Sequence, residues 1–499
     1  MSGFNSISRS AVGISGPNSA FGEVSTTSVT PVGQGDFTHG FNPILFISST
    51  NGTGATATVV SGSLTITSGQ ALTGSSAVSL VKGVKYRPGQ GSLTRMTALF
   101  GPPNADTLQL AGAGNEESGY YFGYQGTNFG IIRELGGIRE IRTLTVSAGV
   151  STSTNVTVTL DGVPITYSIA GGSSVNQTSF EISRQDYTNV GAGWLAEAHD
   201  GIITFICRTP GPRTGTFSAT GSGLSATFAR TFAGVDQARE FVSQSNWNID
   251  TLDGNGKSQF DLNKQLGNVY QIGFQYLGYG NAAFAVENSR TGRFEPCHNF
   301  INANSRTSPV LRDPQVSAKW EVRNVNSSIA TYMTGVSAGS FVEGNIERNI
   351  GLVFAVTGSN AAVTTEVPLI TIRCDKVFNN QANYGEIQLN SIAVGCVIAG
   401  SATRSAIVRM YKNTQLSGPV NFQKIDGTKS ICSFDRSATG YTLNNGFLML
   451  SFPITNGNTV ILDVAGKNFF AKNGESLTVT VSATNSAAID TTLTWYEDQ

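Results

Sequence analysis

The stretch Glu117–Arg142 reads ESGYYFGYQGTNFGIIRELGGIREIR. Tyr120, Phe122 and Tyr124 recur with period two, while Tyr121 and Gly123 take the opposite side. That spacing predicts a strand packed on a core through its Tyr120 face. Gly126, Gly130, Gly136 and Gly137 then divide the stretch into short strands and tight turns. A second stretch with the same texture, Asn268–Glu287 (NVYQIGFQYLGYGNAAFAVE), follows far downstream, and the composition changes between the two. We expect the two stretches to be strands of one sandwich, with a separate small domain inserted between them.

Composition supports this reading. The chain has 499 residues, enough for roughly two to four cores. Charged residues make up only 13%, and glycine reaches 58, the profile of a turn-rich all-β protein. A hydrophobic content of 39% and a net charge of −1 argue against a disordered chain. No Lys/Arg cluster offers a footprint for nucleic acid, and no apolar run is long enough to span a bilayer, so neither partner is expected. The N-terminus, MSGFNSISRSAVGIS, lacks a secretory pattern, which predicts cytoplasmic synthesis. Cys207, Cys297, Cys374, Cys396 and Cys432 are odd in number and form no CxxC pair, so buried free thiols are expected.

Reading outward, residues 1–40 are Ser, Gly, Thr and Asn with few large apolar groups, and are expected to be an extended arm that is either disordered or ordered by lying on a partner. ILFISST, ATATVVSG, SLTITSG and AVSLVKGVKYRPGQG read as short strands. The expected architecture is all-β and built of several sandwiches. A discontinuous jelly-roll-like sandwich (41–139 with 236–390) carries an inserted small sandwich (140–235), and a C-terminal sandwich (391–499) follows. Asp161-Gly162 predicts a hairpin turn, and TSFEISR (178–184) reads as a strand. The helix candidates are short, near Asp236–Val242 and Gly193–Glu197.

Catalytic chemistry is sparse. His199 and Asp200 are adjacent, so on a strand they face opposite ways, and His199 reads as a solvated loop residue. Cys297-His298 lacks a further ligand at metal spacing and reads as a strand end. IDTLDGNGKSQFD resembles a calcium loop, but Thr251 and Leu262 fall where ligands are needed, leaving a polar turn. Glu116-Glu117, Glu134 with Glu140, and Asp250 with Asp253 are the carboxylates available for glycoside hydrolysis, and nothing singles out a pair. No catalytic residue, metal ligand or cofactor is expected.

The order of motifs resembles a family. Residues 20–37 (AFGEVSTTSVTPVGQGDF), 86–101 (YRPGQGSLTRMTALFG), 119–146, 252–280, 298–314 (HNFINANSRTSPVLRDP), 406–431 and 474–499 are similar, in this order, to virion-associated proteins of tailed marine phages and of large DNA viruses of algae and protists. The resemblance implies a virion structural protein made in the host cytoplasm: an appendage, spike, fibre or capsid decoration. Other implied partners are further copies of the chain (homotrimers are usual for such appendages), virion proteins held through the arm, and host-surface carbohydrate. Ring faces stack on sugar C–H groups, so Tyr121, Trp247, Tyr276 and Tyr279 are the glycan-contact candidates. Burial in a core or between subunits is the competing assignment for them. Two rival functions are an internal capsid or tail joint and a polysaccharide depolymerase.

Overall fold

A computed structural model of the chain describes residues 29–344, 351–398, 405–483 and 485–498. Nearly every element among them is a β-strand. The chain divides into two units: residues 1–135 with 239–346, and residues 136–238 with 347–499.

The first unit stacks two antiparallel sheets. One is seven-stranded, in the order Ala238–Ser243, Asn128–Leu135, Gly119–Gln125, Thr107–Gly114, Ser317–Asn324, Ser75–Leu80, Phe46–Asn51. The other is nine-stranded, and Ser92–Phe100 is its hub. Asn268–Phe274 pairs along one side of the hub; Ser337–Glu343 pairs with the first part of its other side, and Tyr332–Gly335 with its last residues. The two aromatic stretches meet between the sheets. Phe122 lies 4.8 Å from Tyr270 and 5.4 Å from Phe284, and Tyr120 lies 5.4 Å from Phe274, centroid to centroid. These rings belong to one core with Trp247, Phe300 and Trp320, where edge and tilted ring contacts add to area burial.

Gly119–Gln125 is buried on both faces, unlike the one-sided strand its alternation suggested. Its Tyr121 side packs with Leu108, Leu110, Ile132 and Phe241. Of the expected arm, residues 1–28 lie outside the described residues, while Val29–Asp36 is a strand paired with Ser337–Glu343.

The second unit contains two sandwiches. In the inserted one, a four-stranded sheet (Trp194–His199, Ile202–Pro210, Arg139–Ala148, Ser225–Phe232) and a three-stranded sheet (Val163–Ile169, Thr154–Leu160, Ser218–Thr220) supply the core. Asp161 and Gly162 turn its hairpin at φ 54° and 80°, the left-handed pair such a two-residue turn requires. The helix is Val175–Ser183, where a strand was expected; Ser174 caps it by accepting from Gln177 N. Both segments proposed as helical are instead in extended structure, Ala238–Ser243 and Trp194–His199, because tertiary pairing outweighs weak local propensity.

The expected boundary at 390 is displaced. Residue 390 falls inside the strand Glu386–Ile398, which pairs with Ala487–Asp498. Leu352–Val363 pairs with that same terminal strand, and Val367–Cys374 pairs with Ser476–Ala483. The C-terminal sandwich therefore includes strands that sequence reading gave to the central one. All five cysteines are buried and free.

Candidate functional site

The outer face of the nine-stranded sheet in the first unit carries an open groove of about 750 Å³. Strand alternation places its residues. On the hub, Met96 and Ala98 turn inward to the core while Arg95 and Thr97 turn outward. Pairing then fixes what stands beside Arg95: Gly339 on one side, with Gln34 beyond it, and Gln271 on the other. The row beyond Thr97 holds Val269, Ser337 and Asp36. Two glycines leave space for rings, Gly339 for Phe341 in the groove and Gly35 for Phe46 in the core beneath it. A Cβ on Gly339 would lie 2.8 Å from the Phe341 ring, and one on Gly35 would lie 2.6 Å from the Phe46 ring. The Phe341 ring therefore lies directly against the Gly339 backbone.

The polar groups are held in place. Arg95 donates from Nε to Gln271 Oε1 at 2.8 Å, and its guanidinium sits 4.8 Å from the centroid of the Phe294 ring. Asp36 Oδ1 accepts from the Thr38 amide at 2.8 Å, which draws the carboxyl below its ordinary value and keeps it anionic. The groove thus offers an aromatic edge at Phe341, donors on Arg95, an acceptor on Asp36 and an amide on Gln34. Sequence reading missed all four. The available signal was Arg95, a lone charge within the apolar alternation of SLTRMTALF, but a single exposed arginine on a strand does not announce a groove.

The four aromatic candidates separate. Tyr121 is 0% exposed and Trp247 5%, so neither offers a ring face to a sugar. Trp247 packs in the core 6.0 Å from Phe122, and the Tyr121 hydroxyl is buried with no hydrogen-bond partner. Tyr121 is a core residue because its strand is covered on both faces, and Trp247 because the turn Gln244–Asn246 before it carries its ring into the core. Tyr276 and Tyr279 share a turn closed by Gly280 N donating to Tyr276 O. Tyr276 is half-buried, donates to Leu311 O at 2.9 Å, and meets Tyr86 edge-on at 5.0 Å. Tyr279 is exposed.

Most atoms of the chemistry-bearing residues are engaged within the fold, although His298 Nε2 is buried without a hydrogen-bond partner. Cys297 is buried, burial pushes its thiol well up, and its Sγ donates to Phe284 O. His298 Nδ1 accepts from Asn248 N, and burial lowers the ring to about 4. Asp250 accepts from the Leu252 and Ser258 amides, and Asp253 from Asn255, so the calcium-like loop uses its carboxylates to close its own turns. Glu134 pairs with Arg239, and Glu140 with Arg142.

His199 is not the solvated residue expected. It is buried with Glu197 and Asp375, and the three bring ligand atoms within 4.8 Å of one another. Lys424 and Arg373 already neutralise Asp375, at 2.5 and 3.3 Å. The Glu197 carboxylate takes two backbone amides. A divalent cation would have to displace or lie against these positive charges, so the cluster is an ion-pair network and a poor cation site.

No protein-family model and no curated protein matches the chain. Among solved structures, it is similar to the carbohydrate recognition domain of Emp47p, at 8% identity and a TM-score of 0.26, covering 64% of this chain and 97% of that one. Arcelin-5, a lectin-like defence protein from Phaseolus vulgaris, matches at 7% identity and a TM-score of 0.22, over 62% and 98%. A third similarity is to a structure described as the triple jelly-roll fold and turret assembly in an archaeal virus, at 8% identity and a TM-score of 0.14, over 97% and 98%. Similarity at this level assigns no function.

Proposed function

We propose that the chain is a non-enzymatic structural protein of a virion, displayed as a surface appendage, that holds a host-surface saccharide in the groove of its first unit. The observation that carries this reading is the groove itself: a half-exposed Phe341 ring beside outward-facing Arg95, Asp36 and Gln34 on a rigid sheet. Sugars are bound by such combinations, because C–H faces stack on rings while hydroxyls pair with planar polar side chains. Arg95 is already fixed by Gln271 and Phe294, so little side-chain freedom is lost on binding. The placement on a virion rests on the ordered resemblance of seven segments to virion-associated proteins.

The lining supports the non-enzymatic part of this reading. Among the described residues that line the groove, Asp36 is the one carboxylate, whereas glycoside hydrolysis needs an acid and a second carboxyl group. Its lowered pKa also leaves it without the proton a general acid must supply.

The test is labelling of intact host cells with fluorescent full-length protein. Saturable binding competed by host glycan is expected. Arg95→Ala and Phe341→Ala should each weaken it by about tenfold, the scale of one lost charge-assisted hydrogen bond or ring contact. Binding that survives both changes would remove the groove from the mechanism, and release of reducing ends from host polysaccharide would establish a depolymerase instead. No binding at all by the folded protein would favour an internal joint.

A further inference from the structure

We infer that the junction between the inserted and C-terminal sandwiches of the second unit is an acid-released latch, with His199 as its proton sensor.

Glu197 and His199 are two apart on the strand Trp194–His199 and so point the same way. They face the end of the strand Val367–Cys374 and the turn that follows it. Glu197 Oε2 accepts from the Lys376 amide at 2.7 Å, and Oε1 from the Val377 amide at 3.2 Å. Arg373 donates from Nη2 to Ala198 O at 3.0 Å, with its guanidinium 3.9 Å from the Phe422 ring centroid. Asp200 N donates to Phe422 O. Behind these bonds, Asp375 is held by Ser433 at 2.6 Å, Lys424 and Arg373. Ile141 and Ile206 of the inserted sandwich meet Val377 beside them.

Within this satisfied network His199 is the exception. Its side chain is 10% exposed, and Nε2 stands 3.6 Å from Glu197 Oε1, beyond hydrogen-bond distance. Neither ring nitrogen has a hydrogen-bond partner. A buried polar ring without partners costs stability, so its presence at a junction between two sandwiches calls for a reason.

The charges around it supply one. Glu197 lies on its own strand; Arg373, Asp375 and Lys376 lie on the facing segment, and Lys424 on the strand Gln423–Lys424. Burial, then the Arg373, Lys424 and Lys376 cations acting against Asp375, hold the closed-state ring down at about 3. Once the sandwiches part, the ring regains its ordinary value of 6.5. The closed pKa is the lower one, so the open state binds the extra proton, and opening is favoured progressively as pH falls below 6.5. At pH 5 the linkage from His199 alone shifts the opening equilibrium about thirty-fold. Glu197 works in the opposite sense: burial and Asp375 raise its carboxyl, so a proton taken up there favours the closed state. Asp375, whose carboxyl Lys424 and Arg373 hold down against burial, adds to release in stronger acid.

Hydrogen exchange on the full-length protein tests this, corrected for the intrinsic pH dependence of exchange. Amides in peptides spanning 195–200 and 374–378 should lose protection by up to about thirty-fold between pH 7.5 and pH 5, while those in 154–160 keep theirs. His199→Gln should flatten that pH dependence, and Glu197→Gln should steepen it, whatever either does to the overall level of protection. No loss of protection in the wild type overturns the proposal, and this measurement stands even if a variant does not fold. An unchanged slope in folded His199→Gln also overturns it.

Discussion

Tyr121 shows how much one residue depends on its neighbours having no side chain. Its ring lies against Gly114 and Gly119, which are paired across the two strands, and a Cβ on either would fall 1.7 or 2.4 Å from Tyr121 Oη. Gly114→Ala should therefore cost about 1–3 kcal/mol by overpacking, measured as a lowered urea midpoint. Tyr121→Phe should do the reverse, because it removes a buried hydroxyl with no partner, and it should relieve part of the Gly114→Ala cost in a double-mutant cycle. Glycan binding should be unaffected by it. From the sequence the period-two pattern around Tyr121 was legible, but the side carrying the second apolar cluster was not. Alternation assigns residues to faces without saying whether another layer covers the far one.

At the scale of an element, the strand Ser317–Asn324 poses the same problem with charges. Ala318, Trp320 and Val322 enter the core, and Trp320 Nε1 donates to Thr97 O at 2.8 Å in the facing sheet. Lys319, Glu321 and Arg323 occupy the other face, where a sequence reader would place water. Lys319 and Glu321 are buried instead, at 7% and 4% exposure. Glu321 is paired with both Lys319 and Arg323, and Arg323 reaches on to Glu134. Burial alone would push the Glu321 carboxyl up from 4.5, but Arg323 and Lys319 hold it down at about 2. Because the folded value is depressed, this contribution is complete above about pH 4.5 and is lost as pH falls towards 2. Glu321→Gln should cost on the order of 3 kcal/mol at neutral pH. It should also flatten the acid limb of a urea-midpoint-against-pH curve in that window.

For the whole molecule, glycine turns and returning aromatic texture were enough to read the all-β class and to suggest that distant strands share a core. Phe122 and Tyr270 do so. The step near residue 346, where the chain moves to the second unit, was not legible, because Ser337–Glu343 before it and Leu352–Val363 after it both read as ordinary strands of one all-β series. The groove was hidden for a related reason: Gln34, Arg95, Gln271 and Phe341 come from four strands distant in sequence, and only cross-strand register brings them together. The entry and exit of the insertion are close, since Asn128–Leu135 and Ala238–Ser243 are neighbours in one sheet and Arg239 reaches Glu134 at 3.1 Å. Replacing residues 137–237 by a short glycine-containing turn should therefore leave the first unit folded and able to bind saccharide, checked by near-ultraviolet circular dichroism and by titration.

That nesting also sets a timetable for the nascent chain. As it leaves the ribosome, the inserted sandwich emerges whole while the surrounding one is still half made. The hub Ser92–Phe100 must wait for Asn268–Phe274 and then Ser337–Glu343 before its sides are covered. Until then its edges are open to any passing strand, a long-range pairing of the kind that folds slowly and aggregates readily. Translation speed through residues 136–238 thus governs how long an unfinished sheet is exposed. Cells that make this protein in quantity would need either a holding chaperone or a dilute pool of nascent chains to bring it through.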